Sequence, residues 1–158
     1  MRISFVLNGK EIVIDAEPDR KVIDLLREDL GLTGTKEGCS ACECGVCTIL
    51  VDSESRLSCL MYAAQIEGKI VTTIEGIAAE GNFHLLQEAF IEYGAVQCGF
   101  CTPGMIISAV DLLAKNPGPT REEIREGMSG NLCRCTGYQK IVDAVEMTLP
   151  KIGKGRGR

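Results

Sequence analysis

Ile3, Phe5 and Leu7 alternate with more polar neighbours, the period-two pattern of a half-buried strand. Asn8-Gly9 then offers the positive-φ pair of a tight hairpin turn, and Glu11 to Asp15 carries the return strand. Pro18-Asp19 breaks that strand and opens a helix with Val22, Leu25 and Leu26 on one face, ended by Gly31 and Gly34. Thr48-Ile49-Leu50-Val51 and Ile70-Val71-Thr72-Thr73 read as further strands. Residues 1–76 thus predict a compact α+β unit, four or five short strands wrapped on one helix. After Thr73 the texture changes. Glu75 to Asn82, with Gly76 and Gly81, reads as a linker, and four helices are expected near 83–93, 103–115, 121–128 and 139–149. Pro103 suits a first helical turn, where no N–H is needed. Thr120 with Glu123 makes a capping box, and Asn116-Pro117-Gly118-Pro119 separates two helices. Residues 77–150 are therefore expected to form an all-α second domain, with the basic, glycine-rich stretch 151–158 as a flexible tail.

Composition changes this picture in three respects. Aromatic residues make up only 4% of the 158-residue chain and Trp is absent, so small domains here want a staple such as a metal site. The net charge of −5 argues against a nucleic-acid partner, which asks for an excess of Lys and Arg. The apolar stretch at the N-terminus is too short for a signal peptide, and no apolar run approaches the roughly 18 residues of a membrane span. A cytoplasmic location is expected, where thiols stay reduced. Nine cysteines there read as metal ligands rather than disulfides, and their odd number agrees.

The cysteines fall into two sets. Cys39, Cys44 and Cys47 follow the C-x₄-C-x₂-C spacing of plant-type [2Fe–2S] ferredoxins, with Cys59 as the fourth ligand. Two irons bridged by two sulfides each take two thiolates, so a tight loop can deliver three and a neighbouring segment the fourth. Gly38 and Gly45 let the loop backbone approach the cluster, where N–H groups can donate to sulfur. Cys39, Cys42, Cys44 and Cys47 also admit a reading as four ligands of one zinc, with Cys59 an ordinary buried thiol. Cys42 is otherwise a small side chain on the loop surface, redox-sensitive if exposed. The second set is Cys98-x₂-Cys101 and Cys133-x-Cys135, each pair at a helix boundary, where helix N-termini favour an anionic cluster. A structural zinc is the alternative here too, although C-x-C departs from the usual zinc spacing. His84 reads as a surface or cap-adjacent residue, Arg121 with Glu122-Glu123 as a solvated helix face, and Tyr138 as a residue of the cluster loop or the core.

The stretches Gly94-Ala95-Val96-Gln97-Cys98-Gly99-Phe100-Cys101-Thr102-Pro103-Gly104-Met105 and Gly130-Asn131-Leu132-Cys133-Arg134-Cys135-Thr136-Gly137-Tyr138 resemble the small iron–sulfur subunit of the xanthine dehydrogenase (molybdenum hydroxylase) family. The resemblance extends from Ile3 to about Leu149 and includes Gly38-Cys39, Cys44-Gly45-Val46-Cys47-Thr48 and the eleven residues between Cys47 and Cys59. Cys42 departs from it, standing where a small non-ligating residue is expected. The resemblance implies a β-grasp ferredoxin domain followed by a four-helix-type [2Fe–2S]-binding domain. It also implies two partner subunits, one carrying a molybdopterin cofactor and one carrying FAD, in a complex that is a dimer of heterotrimers. Single electrons would pass from the molybdopterin centre through two [2Fe–2S] clusters to FAD, with a purine or other N-heteroaromatic as the substrate of the complex. Gln97 and the ligand Cys135 would face the pterin, unless Gln97 is only a helix-entry residue bonded to backbone. A [2Fe–2S] cluster moves one electron and makes no bonds, so no catalytic acid, base or nucleophile is expected on this chain. The competing readings are a freestanding two-cluster carrier, the same subunit in an aldehyde, carbon monoxide or aromatic acyl-thioester enzyme, and a zinc-stabilised interaction module.

Overall fold

A computed structural model describes residues 1–78 and 84–155. Strand β1 (Arg2–Leu7) turns back into β2 (Lys10–Asp15) through Asn8 and Gly9, whose φ angles of +50° and +80° are those of the expected hairpin turn. Strands β3 (Thr48–Val51), β4 (Glu54–Leu57) and β5 (Ile70–Thr72) complete a five-stranded sheet in the order β2-β1-β5-β3-β4. Within it β1 and β5 are parallel, and the other neighbours antiparallel. Helix α1 (Val22–Asp24) continues as one wide turn of π type (Leu25–Asp29), closed by the Leu30 N–H donating to the Leu25 carbonyl. Its Val22, Leu25 and Leu26 bury against Ile3, Phe5, Leu7, Ile49 and Val71 of the sheet, while Ile23 packs on Cys47 and Cys59. The expected first unit is present, with one strand more than the sequence located.

The second half contains α2 (Leu85–Glu92), α3 (Thr102–Lys115), α4 (Arg121–Gly127) and α5 (Gln139–Gly155). Residue 83, the expected start of α2, and half of the expected linker, residues 79–82, lie outside the described residues. Helix α3 is central. Gly104, Met105, Ile106, Ile107, Ser108, Ala109, Asp111 and Leu113 are all buried, on every side of the helix, because it is covered by the bundle on one side and by the sheet domain on the other. Helix α5 runs past the expected end at 149, through Pro150 to Gly155. Arg121 is not merely part of a solvated face: its guanidinium spans to α5, 2.7 Å from Asp143 and 2.6 Å from Glu146.

His84 caps α2. Its Nδ1 accepts from the Leu86 N–H at 3.2 Å, and the Gln87 side chain returns the favour to the His84 N–H at 2.9 Å. The cap requires a neutral ring, and burial lowers the His84 pKa from 6.5. As the pH falls, the unfolded chain therefore takes up its proton first. Stability from this cap is complete above about pH 6.5 and declines as the pH drops toward the lower folded value. Replacing His84 with Ala is expected to cost about 1 kcal/mol at neutral pH and to flatten the stability profile on the acid side of neutrality. Urea midpoints measured across that range check both.

Candidate iron–sulfur sites

The loop from Gly38 to Cys47 is coiled by residues in the left-handed region, Ser40, Cys42 and Gly45 at φ +53°, +60° and +72°. This coiling turns three N–H groups onto one sulfur. Cys39 Sγ accepts from Ala41 N (3.4 Å), Glu43 N (3.3 Å) and Cys44 N (3.4 Å). The Ala41 N–H first, then those of Cys44 and Glu43, bring the Cys39 thiol down to about 7. Cys44 lies within side-chain hydrogen-bond reach of Cys39. Cys59 is delivered beside Cys47 by a short helical turn (Ser58–Leu60), which Ser58 anchors by donating its N–H (3.2 Å) and hydroxyl (2.7 Å) to the Cys47 carbonyl. Cys47 and Cys59 are buried, and burial pushes the Cys47 thiol up to about 12. The first set thus divides into an outer pair, Cys39 and Cys44, and an inner pair, Cys47 and Cys59.

The second set divides the same way. Cys98 and Cys135 are exposed, with their sulfurs 3.5 Å apart, and form the outer pair. Cys101, at the N-cap of α3, is buried and within hydrogen-bond reach of half-buried Cys133. Burial pushes Cys101 up to about 12. Burial also raises Cys133, but the Thr136 hydroxyl (3.0 Å) and N–H (3.4 Å) outweigh it and leave that thiol below the usual range. The hydrogen bond with Cys98 raises Cys135. Tyr138 belongs to this loop: its backbone is left-handed at φ +69° and its hydroxyl accepts from the Cys133 N–H at 3.0 Å. Gln97, which precedes Cys98 in the chain, is exposed.

Two close pairs per set are what a binuclear cluster asks for, one pair to each iron. A thiol pair around one metal at roughly 2.3 Å spans a tetrahedral edge of roughly 3.8 Å, near the Cys98–Cys135 separation of 3.5 Å. The buried inner thiols fit as well, since a bound cation removes the penalty that burial places on a thiolate. Among the described residues, no three His, Cys, Asp or Glu side chains close on a position for a single ion. Cys42 stands apart from the pairs. It is exposed and lines a cavity of about 460 Å³ with Ser55, Asp111 and Lys115, whereas Cys39 and Cys44 share a different cavity, about 320 Å³, with all four cysteines of the second set.

The two loops are joined directly. Leu132 N donates to the Cys44 carbonyl at 2.9 Å, and Asn131 Nδ2 donates to the Gly45 carbonyl at 2.9 Å. A Cβ on Gly104, in the first turn of α3, would stand 2.7 Å from the Gly45 oxygen, so helix and loop meet at backbone distance. On the far side Ser55 Oγ donates to Asp111 Oδ2 at 2.6 Å, joining β4 to α3. The sequence carries Asn131 in plain view inside the second cysteine motif, but nothing in its spacing shows that its side chain serves the other domain.

A β-grasp sheet and a helical bundle, each with four paired thiols, define a two-cluster [2Fe–2S] protein of the electron-transfer class. Comparison with known proteins agrees in both halves: residues 5–70 match the 2Fe-2S iron-sulfur cluster binding domain, and residues 73–146 match the [2Fe-2S] binding domain. The chain is 52% identical over 149 residues to the nicotinate dehydrogenase small FeS subunit of Eubacterium barkeri, covering 94% of this chain and 95% of that one. It is 48% identical over 145 residues to the xanthine dehydrogenase iron-sulfur-binding subunit of Escherichia coli O157:H7, covering 90% and 91%. A chain of the crystal structure of quinoline 2-oxidoreductase from Pseudomonas putida 86 superposes with a TM-score of 0.94 at 49% identity, covering 99% and 97%. The chain belongs to the small iron–sulfur subunits of the xanthine dehydrogenase-type molybdenum hydroxylases.

Proposed function

We propose that this chain is the redox subunit of a molybdenum-dependent hydroxylase, with Cys39, Cys44, Cys47 and Cys59 holding the first [2Fe–2S] cluster and Cys98, Cys101, Cys133 and Cys135 the second. The observation that carries the assignment is the sorting of these eight thiols into four close pairs. Bound there, the clusters supply one-electron transfer between a molybdopterin-bearing partner and a FAD-bearing partner. The chain's own residues hold and orient. Three N–H groups stabilise the Cys39 thiolate, Thr136 does the same for Cys133, and Ile23 and the α3 core shield the inner pairs from water. Gln97 and Cys135, both exposed, are the groups offered to the pterin. Residues 1–76 form the ferredoxin domain and 77–150 the helical one, with 151–158 beyond them.

An N-heteroaromatic substrate for the complex is the reading supported by three relatives, whose names carry nicotinate, xanthine and quinoline; aldehyde oxidoreductases among the matches stand for the other substrate class. In this reading the complex is a cytoplasmic heterotrimer present as two copies, as the family resemblance implies. No described helix is long and apolar enough to cross a membrane. The test is to tag the chain in its native host, purify gently, and assay iron, molybdenum and flavin together. About four irons per chain with molybdenum and FAD in the same peak are expected. Iron without molybdenum or flavin would make the chain a freestanding carrier, and zinc in place of iron would overturn the redox assignment.

A further inference from the structure

The first cysteine loop is completed by a residue from the other domain. The Gly45 carbonyl belongs to the peptide between Cys44 and Cys47, and three donors converge on it: Thr48 N at 3.2 Å, Thr48 Oγ1 at 2.6 Å and Asn131 Nδ2 at 2.9 Å. The third comes from 86 residues away, from the loop that carries Cys133 and Cys135. Asn131 is itself buried, and its amide cannot turn: Oδ1 accepts from Ser108 Oγ at 2.7 Å, its own N–H donates to the Met128 carbonyl, and the next N–H holds the Cys44 carbonyl. Chemistry fixes the orientation too. Gly45 O can only accept, while Ser108 can donate, so an amide fits where a carboxylate would set oxygen against oxygen. Glycine at 45 makes room, since a Cβ there would lie 2.9 Å from Nδ2.

We propose that Asn131 is a positioning residue for the first cluster, donating across the domain boundary to the Gly45 carbonyl and thereby raising that cluster's reduction potential. The inference rests on Cys39, Cys44, Cys47 and Cys59 being the ligands. A bare carbonyl oxygen in the loop between the ligands Cys44 and Cys47 opposes an electron added to the cluster they hold, and a donor on that oxygen offsets it. The site is buried, so the effect is not screened by water. Because the donor sits two residues before Cys133, the seating of one cysteine loop sets the electrostatics of the other.

The test uses the assembled enzyme with Asn131→Ala and with Asn131→Ser; serine leaves a partner for Ser108 but is too short to reach Gly45. Iron per chain is measured first. Potentiometric titration followed by electron paramagnetic resonance then reads each reduced cluster, the first being identified as the signal that Cys39→Ser alters. Both variants are expected to keep the parent's iron and to lower the first cluster's potential by a several-fold change in its one-electron equilibrium, at most about tenfold or 59 mV. Thr48→Val, which removes another donor from the same oxygen, is expected to move it in the same direction. An unchanged potential in a fully loaded Asn131 variant, with only the melting temperature lowered, would overturn the proposal and leave Asn131 a strut. Should Asn131→Ala not accumulate, Asn131→Ser decides alone. A parent protein with less than about four irons would sink the ligand assignment instead.

Discussion

A Gly45→Val chain is expected to give no folded, iron-loaded protein. Gly45 sits at φ +72°, where a side chain costs about 1–2 kcal/mol. Its Cβ would also stand 2.3 Å from the Gly130 carbonyl oxygen and 3.0 Å from Asn131 Cα, contacts with backbone that cannot swing aside. Forcing the loops apart costs a further 1–3 kcal/mol, roughly, for overpacking. It also breaks the two hydrogen bonds from Asn131 and Leu132, worth about 1 kcal/mol each. The sum, about 5 kcal/mol, reaches the lower end of a small domain's whole stability. Gly9→Ala is the control. Gly9 shares the left-handed backbone, at φ +80°, but a Cβ there meets nothing within 4 Å. It is expected to cost about 1 kcal/mol and leave iron content intact. Soluble yield, melting temperature and iron per chain separate the two. Equal losses in both would mean that backbone strain, and not the meeting of the two cysteine loops, governs position 45.

These two glycines also mark the limits of reading the sequence. Asn8-Gly9 was legible because its chemistry is local: two residues tolerant of positive φ between two alternating runs specify a hairpin without reference to the rest of the chain. The Thr120 capping box and Pro103 were legible for the same reason. Strand β4 was not. Its turn uses Asp52 and Ser53 at φ +50° and +67°, a pair with much weaker turn preference than Asn-Gly, and β4 itself is half exposed with no clean alternation. The extension of α5 past Leu149 was missed because a proline followed by glycines reads as a stop. Arg121 looked solvated because its partners lie 22 and 25 residues on, beyond any helical period. The same holds at the sites. Spacing showed that eight cysteines could bind two clusters, but the division into outer and inner pairs mixes residues from separate segments, Cys47 with Cys59 and Cys101 with Cys133. Only the fold brings those together, and only the fold reveals that Asn131 and Gly104 press one loop onto the other.

Cys101→Ala and Cys42→Ser are expected to differ completely. Cys101 is 8% exposed, stands at the N-cap position of α3, pairs with Cys133, and belongs to the core formed with Met105, Ile106 and Ile141. Alanine removes one of the four thiolates of the second set and leaves a small void among those side chains. Iron is expected to fall from about four to about two per chain. The loss of the bound metal removes far more stability from the helical half than the roughly 1 kcal/mol of the deleted sulfur. Cys42, by contrast, is exposed and lines the cavity with Ser55 and Asp111, which none of the paired thiols lines. Its serine variant is expected to keep all the iron and the parent's folding stability within about 0.5 kcal/mol. Iron assays with visible absorbance on both variants check this. Loss of metal from Cys42→Ser would revive the reading in which Cys39, Cys42, Cys44 and Cys47 close on one ion. That arrangement is hard to build here, because Cys42 lines a different cavity from Cys39 and Cys44, and re-aiming it from its φ of +60° would disturb the coiled loop whose N–H groups donate to Cys39.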